Sequence, residues 1–164
     1  MEAVKQLTPF LSVIGQIQPT HMASVAASGF VTVINNRPDG EGEDQPSNAE
    51  MAAAAQASGL QYHYLPVVAG QISDENVSDF AQLLAQVKGP VLAFCRTGTR
   101  SSSLWALSEA HHLRAPAILA AAQTVGYDLT GLVPRLQQRW TEQVYVPDAA
   151  HVAHTNRYDV LAIG

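Results

Sequence analysis

Short apolar runs alternate with helical patterns along the first 140 residues of the chain. Four runs rich in Val, Ile, Leu or aromatic residues predict buried or half-buried strands at residues 11–15, 31–34, 61–67 and 90–94. The apolar spacing between and after these runs predicts helices over residues 20–28, 48–58, 73–87, 101–112, 115–125 and 131–140. This alternation of strands and helices predicts an α/β fold.

The pattern changes after Trp140. Residues 141–156 show neither helical nor alternating periodicity, which predicts an extended linker. Residues 157–164, RYDVLAIG, resemble the first strand and first glycine of a flavin-binding Rossmann domain. An ordinary terminal strand is the alternative, and both interpretations stay open. We therefore predict one domain over residues 1–140, a linker over residues 141–156, and over residues 157–164 either a terminal strand or the truncated start of a flavin-binding Rossmann domain.

Composition and charge exclude several classes of partner. A chain of 164 residues is long enough for one domain with a hydrophobic core. Its net charge of −5 and its nine Lys and Arg residues leave few cations for a nucleic-acid groove, so we expect no nucleic-acid partner.

The start, MEAVKQLTPFLSVIGQI, predicts neither a secretory signal nor a membrane segment, which favours a cytoplasmic location. A fused domain could bring it to the inner face of the membrane. The histidines show no metal-ligand spacing, so we expect no metal site.

The only cysteine of the chain, Cys95, follows the predicted strand 90–94 in the stretch VLAFCRTGTRSSSLWAL. Open α/β sheets bind ligands at the carboxyl ends of their strands. A turn into a helix there offers backbone N–H groups and a positive dipole end, and Arg100 can bind two oxygens of a tetrahedral anion. The same field favours a thiolate, so we expect Cys95 to be a largely ionised nucleophile. The alternative, a buried structural cysteine, fits the polar sequence after it less well. The predicted binding residues of this loop are Arg96, Thr97, Gly98, Thr99 and Ser101.

A second polar segment, NNRPDGE, follows the predicted strand 31–34 and should reach the same edge of the sheet. Arg37 could add a second cation for thiosulfate or a glutathione carboxylate, or it could form a salt bridge to Asp39 or Glu41 that orders the loop. Both roles stay open. Asp39, or Asp44, could supply an acid if this loop folds over the cysteine, so Asp39 is a further predicted binding residue. Pro38 and Gly40 around Asp39 also suit a turn.

The stretch CRTGTR resembles the catalytic loops of two families. Protein tyrosine and dual-specificity phosphatases carry His-Cys, five residues, Arg and then Ser or Thr. Here Phe94 replaces the histidine and only four residues separate Cys95 from Arg100. Rhodanese sulfurtransferases use a six-residue loop that opens Cys-Arg-x-Gly-x and closes with Thr or Arg, which this stretch matches. Val68 and Ala69 stand where the dual-specificity pattern has its general acid, although YHYLPVV otherwise resembles that pattern.

Nearly the whole chain, from LSVIGQI through INNRPDGEGEDQPS to CRTGTRS and GYDL, resembles one bacterial family. It is the phosphatase-like domain of β-lactamase-hydrolase-like proteins, which also occurs fused to sulfide:quinone oxidoreductases. The resemblance implies a protein-tyrosine-phosphatase-like fold with a mostly parallel central sheet flanked by helices. Because sulfide:quinone oxidoreductases are among the fusion partners of that domain, the resemblance also implies a function in the transfer of sulfane sulfur.

The hypothesis that follows is a rhodanese-type sulfurtransferase acting in sulfide oxidation. It would move sulfane sulfur from glutathione persulfide or thiosulfate to a thiol or sulfite through a Cys95 persulfide, with Arg100 stabilising the bound group. We expect no cofactor in this domain, although a fused flavoprotein partner would carry FAD. Two alternatives stay open: a dual-specificity-type cysteine phosphatase, and a noncatalytic docking domain of a flavoprotein.

Overall fold

A mostly parallel sheet of five strands forms the centre of the part of the chain that the structure describes. The structure, a computed structural model, describes residues 1–142. The strands lie in the order β1-β2-β5-β3-β4, and all neighbours are parallel except β1 and β2. Their bounds are β1 Lys5–Gln6, β2 Leu11–Ile14, β3 Thr32–Asn35, β4 Gln61–Tyr64 and β5 Val91–Phe94. The predicted α/β fold with a mostly parallel sheet is confirmed.

Within residues 1–142, six α-helices flank the sheet. They are α1 Met22–Ala27, α2 Asn48–Ala57, α3 Asp74–Gln86, α4 Thr99–Glu109, α5 Ala115–Thr124 and α6 Val133–Thr141. Short 3-10 turns at Pro19–His21 and Thr130–Leu132 precede α1 and α6. Each helix was predicted, with its ends within three residues of those observed. Helix α6 ends one residue inside the predicted linker, and the rest of that linker and the Rossmann-like end, from residue 143, lie outside the described residues.

The start of α4 differs from the prediction in a way that matters for the site. The sequence predicted a helix from residue 101, whereas α4 begins at Thr99. Gly98 has a φ of +91°, a left-handed conformation that turns the chain sharply after Cys95. The backbone N–H of Ser102 then donates to the Gly98 carbonyl at 2.9 Å and closes the first helical turn. Thr99 and Arg100 are therefore helical, and the loop after Cys95 is tighter than predicted.

Strand β1 was not predicted. It is two residues long and carries a polar pair, Lys5 and Gln6, so it has no apolar pattern to detect. Its pairing with Val13 and Ser12 of β2 holds it at the edge of the sheet.

Hydrophobic side chains from both faces of the sheet form the core. One face is packed by α3, α4, α5 and α6 and carries Val13, Ile34, Val91 and Ala93. The other is packed by α1 and α2 and carries Ile14, Val33, Leu92 and Phe94. Because both faces are covered, ligands reach the sheet at its strand ends. Within residues 1–142, no helix has the length and apolar character needed to cross a bilayer.

Candidate active site

Cys95 lies directly after β5, at the carboxyl edge of the sheet, and is fully buried. The backbone N–H of Gly98 donates to its Sγ at 3.1 Å. The left-handed Gly98 makes this possible because it folds the chain back toward the cysteine before α4 begins. A backbone N–H aimed at sulfur stabilises negative charge on it. The predicted strand, cysteine loop and helix are thus present, with one loop donor on the candidate nucleophile.

The guanidinium of Arg100 is fixed by Glu41. Its Nη1 donates to Glu41 Oε2 at 2.7 Å and its Nη2 to Glu41 Oε1 at 2.9 Å. Nη1 also donates to the Val67 carbonyl at 2.9 Å, and the side chain is only 9% exposed. These three bonds use both hydrogens of Nη1 and one hydrogen of Nη2, so the edge formed by Nε and Nη2 is the one that could bind a further anion.

Charges in this cluster stabilise one another. The hydrogen bond from Arg100 lowers the pKa of Glu41 below its ordinary value, with Arg37 adding to the effect against the cost of burial. The same bond raises the pKa of Arg100, and the charge of Cys95 raises it further. Glu41 is therefore ionised at neutral pH. It serves as an anionic ligand of the arginine and is poorly suited to donate a proton.

Arg37 shares the same carboxylate. Its Nε donates to Glu41 Oε1 at 3.0 Å and its Nη1 to Gln16 Oε1 at 3.0 Å. The backbone N–H of Arg37 donates to Asn35 Oδ1 at 2.9 Å, and the residue is buried. Of the two roles considered for Arg37, the salt bridge is present, with Glu41 as its partner. Direct binding of substrate by Arg37 stays a prediction.

Asp39 is engaged with the start of α2. Its Oδ1 accepts the backbone N–H of Asn48 at 2.7 Å, where a carboxylate complements the helix dipole. Its own backbone N–H donates to the Tyr64 hydroxyl at 3.0 Å. These bonds give Asp39 a structural role in placing the loop, and its role in substrate binding stays a prediction.

The other predicted loop residues fall into two groups. Arg96, Thr97 and Thr99 are exposed, and Thr97 Oγ1 donates to Thr99 Oγ1 at 3.0 Å. Ser101 is fully buried and its Oγ donates to Asn36 Oδ1 at 2.8 Å. The exposed residues can meet a ligand at the rim, whereas Ser101 fastens the loop to the neighbouring strand end. Their roles toward a substrate stay predictions.

No acid stands at the place used by dual-specificity phosphatases. That place holds Val68, which is 51% exposed, and the exposed Ala69. Asp74, the next carboxylate along the chain, opens α3 and pairs with Arg135 at 3.0 Å. Across residues 1–142, no three His, Cys, Asp or Glu side chains gather into a group that could hold a metal ion.

Two residues that build the site were not predicted in their observed roles. Glu41 was considered only as a partner of Arg37, although a carboxylate in the loop at the same sheet edge as Arg100 was the available signal. Asn36 was not predicted, and its Nδ2 donates to the Leu65 carbonyl at 2.9 Å while its Oδ1 accepts from Ser101. The Asn36 backbone N–H also donates to the Phe94 carbonyl at 2.8 Å. Asn36 thereby joins the ends of β3, β4 and β5.

Glu41→Gln is expected to destabilise the protein at neutral pH by about 1–3 kcal/mol, since it weakens charged hydrogen bonds to two buried arginines. Because folding lowers the pKa of Glu41, its contribution is complete above its ordinary value of 4.5 and is lost as the pH falls through the folded value. The difference in free energy of unfolding between wild type and variant should therefore shrink in acid. Urea unfolding at a series of pH values measures it.

Glu43→Gln is the matched control, because Glu43 is exposed and lies in the same loop. Its effect should stay within about 0.5 kcal/mol at every pH. An effect of Glu41→Gln that is equal at neutral and acid pH would contradict the ionic role.

Most of the chain is similar in sequence to known proteins. The family described as "Beta-lactamase hydrolase-like protein, phosphatase-like domain" matches residues 3–112. A beta-lactamase hydrolase-like protein of Agrobacterium fabrum is 35% identical over 145 residues, which are 87% of this chain and 32% of that protein. One from Xylella fastidiosa is 34% identical over 79% of this chain and 30% of its own length. The chain thus spans about a third of the length of these curated relatives.

Solved structures that share this fold include proteins named as phosphatases. A Neisseria meningitidis protein with a provisional phosphatase assignment is 35% identical, with a TM-score of 0.78 over 85% of this chain and 99% of its own. The PP-IP phosphatase Siw14 of S. cerevisiae is 11% identical and shares the fold, with a TM-score of 0.65 over 96% of this chain and 94% of its own. The predicted family resemblance and the phosphatase-like fold are confirmed.

Proposed function

We propose, from the premise that this chain belongs to the family of the phosphatase-like domain of beta-lactamase hydrolase-like proteins, that it is a cysteine-dependent sulfurtransferase. One observation carries the choice of chemistry: Glu41, the carboxylate bonded to Arg100, is an ionised ligand of that arginine. Val68 and Ala69 occupy the place of the acid. The site therefore suits a transfer whose leaving group needs no proton.

Leaving-group chemistry separates the two candidate reactions. A phosphatase must protonate an alkoxide as it leaves, and without a positioned acid that step loses roughly 10²–10⁴-fold. Sulfite and thiolates of low basicity leave as anions. The four-residue spacing between Cys95 and Arg100 also favours sulfur, because it makes a tighter loop than the five-residue spacing of phosphatases.

The reaction runs in two transfers between sulfur atoms. The Cys95 thiolate attacks the outer sulfur of thiosulfate, the sulfur–sulfur bond of the donor breaks, and its electron pair leaves with sulfite. Cys95 then carries a persulfide anion that the Gly98 N–H and Arg100 stabilise. An acceptor thiolate attacks the terminal sulfur of this persulfide, becomes a persulfide itself, and releases the Cys95 thiolate. Glutathione persulfide can serve as donor, with glutathione thiolate leaving, and sulfite can serve as acceptor.

The second candidate is a phosphatase of the cysteine-dependent type. The comparisons favour it over sulfur transfer, since the family is called phosphatase-like and the structural neighbours reported above are phosphatases by name. A buried cysteine with a bidentate arginine could equally hold a phosphoryl group. A noncatalytic domain that docks a flavoprotein is the third candidate.

The proposed setting is a larger sulfide-oxidising protein. This domain would exchange sulfur with small anions and thiols and would itself need no cofactor, while a fused flavoprotein would hold FAD. Such a protein would work in the cytoplasm or at the inner face of the membrane.

Incubation with thiosulfate or glutathione persulfide should add one sulfur atom to Cys95, because the persulfide is the intermediate of the transfer. Mass spectrometry of the nonreduced protein and of its Cys95 peptide measures the addition, with Cys95→Ser as the control. Hydrolysis of an aryl phosphate is measured on the same preparation.

The outcomes separate the three candidates. A Cys95 persulfide with weak phosphate hydrolysis supports the proposal. Efficient phosphate hydrolysis without a persulfide overturns it and establishes the phosphatase. Absence of both reactions, with flavoprotein turnover unchanged by Cys95→Ser, favours the docking domain.

A further inference from the structure

Tyr127 lies over the cysteine loop although it comes from the chain after α5. Its hydroxyl donates to the Thr97 carbonyl at 3.1 Å, and its ring packs on the side of the core formed by α3 to α6. It also covers Gly98 so closely that a Cβ added there would collide with the tyrosine hydroxyl. Tyr127 lies outside residues 3–112, the part matched by the family. The loop therefore has a wall contributed by a distant segment.

The hydrogen bond from Tyr127 acts on the peptide unit that faces Cys95. The Thr97 carbonyl and the Gly98 N–H belong to one planar peptide group, in which C=O and N–H point in opposite directions. One end of this group accepts from the Tyr127 hydroxyl, and the other donates to Cys95 Sγ at 3.1 Å. Holding the carbonyl on Tyr127 thus fixes the direction of the N–H. A donor on the carbonyl also polarises the peptide and strengthens the N–H as a donor.

Tyr127 keeps the proton that this role needs. Burial raises its pKa to about 12, and the negative charges of Cys95 and Glu2 contribute to the rise. The Glu2 carboxylate lies nearby because its Oε1 accepts the backbone N–H of Gly15, beside the loop. The Tyr127 hydroxyl is therefore a donor throughout the neutral range.

We propose that Tyr127 is a positioning residue that aims the Gly98 N–H at the Cys95 sulfur and so supports its thiolate. The inference rests on Cys95 being the nucleophile of the proposed function, and it holds for sulfur or phosphoryl transfer alike.

Tyr127→Phe tests this directly, because it removes the hydroxyl and keeps the ring. Iodoacetamide alkylation of Cys95 and the ultraviolet absorbance of its thiolate are the readouts, both measured at a pH below the midpoint of thiolate ionisation, where they are proportional to the ionisation constant. Both should fall by about three- to ten-fold, the effect of losing one hydrogen bond, while the melting temperature changes little. Thr124→Val is the matched control: it removes the hydroxyl of an exposed residue near the end of α5 that bonds only within its own helix, and it should leave both readouts unchanged.

A rescue variant covers the case in which the phenylalanine protein does not fold. Incorporation of p-aminophenylalanine at position 127 keeps the ring and restores an N–H donor at the same place. A folded rescue protein that alkylates close to the wild-type rate supports the inference. An unchanged or faster rate in Tyr127→Phe, or a folded rescue protein that stays several-fold slower than wild type, overturns it. Neither readout involves sulfur transfer, so the inference can fail while the proposed function stands, and the reverse.

Discussion

Arg100→Lys is expected to lower kcat/KM for sulfur transfer from thiosulfate by about 10²–10³-fold, the loss typical of removing one donor from a preorganised anion site. The guanidinium fork bonds both oxygens of Glu41 through Nη1 and Nη2 and also donates to the Val67 carbonyl, so its second edge, Nε with Nη2, is left for the anion that we propose at Cys95. A lysine ammonium is a single point charge and cannot fill both edges at once. Steady-state kinetics with thiosulfate as the donor and a thiol as the acceptor measures the loss of kcat/KM.

Arg135→Lys is the matched control for this substitution. Arg135 also bonds a carboxylate, Asp74, and a backbone carbonyl, that of Ile72, but it lies outside the cysteine loop. Its replacement should leave kcat/KM within about two-fold of wild type, since partly exposed ion pairs contribute little. A near-wild-type rate for Arg100→Lys would show that charge alone is enough and that no bidentate contact is made.

Gly98→Ala should lower the turnover rate by about 10²-fold, because misplacing a catalytic donor by about 1 Å costs that much. The added Cβ would collide with the Tyr127 hydroxyl, and alanine is disfavoured at a φ of +91°. The collision is relieved either by moving the Gly98 N–H or by displacing Tyr127 from the loop, and in both cases the N–H loses its alignment with Cys95. We also expect a loss of about 1–3 kcal/mol in free energy of unfolding. Kinetics and urea unfolding measure the two effects.

Gly29→Ala separates backbone strain from the collision. Gly29 has a similar φ, +98°, and open space where its Cβ would be. It should cost about 1–2 kcal/mol and leave turnover unchanged. Equal losses of turnover in Gly98→Ala and Gly29→Ala would mean that the collision with Tyr127 does not cause the loss.

The elements that bring Cys95 to the sheet edge could be predicted from sequence because their signals are local. Apolar runs marked β2 to β5, and the polar stretch after Phe94 marked the loop. Since parallel strands end at one edge, the closeness of the segment around Arg37 to Cys95 could also be predicted. The observed contact between Asn36 and Ser101 realises that prediction.

The pairing of side chains within the site could not be predicted, because it depends on how loops of distant sequence turn. Nothing local to Glu41 shows that it meets Arg100, 59 residues away. Asp39, by contrast, bonds the start of α2, since Asn48 presents a free backbone N–H there. Tyr127 reaches Thr97 only because α4 and α5 pack on the same face of the sheet.

The amide of Asn36 has a consequence for how substrate preference can diverge on this scaffold. Its bonds tie the ends of β3, β4 and β5 into one rigid unit, with Leu65 and Ser101 as the other partners. A change at this junction would disturb all three loops at once and with them the nucleophile. The outer turns at residues 42–46 and 68–72 lie beyond the junction and beyond Glu41, and they can vary without disturbing either. New specificities in such a scaffold should therefore arise in those turns, while the junction keeps the chemistry constant.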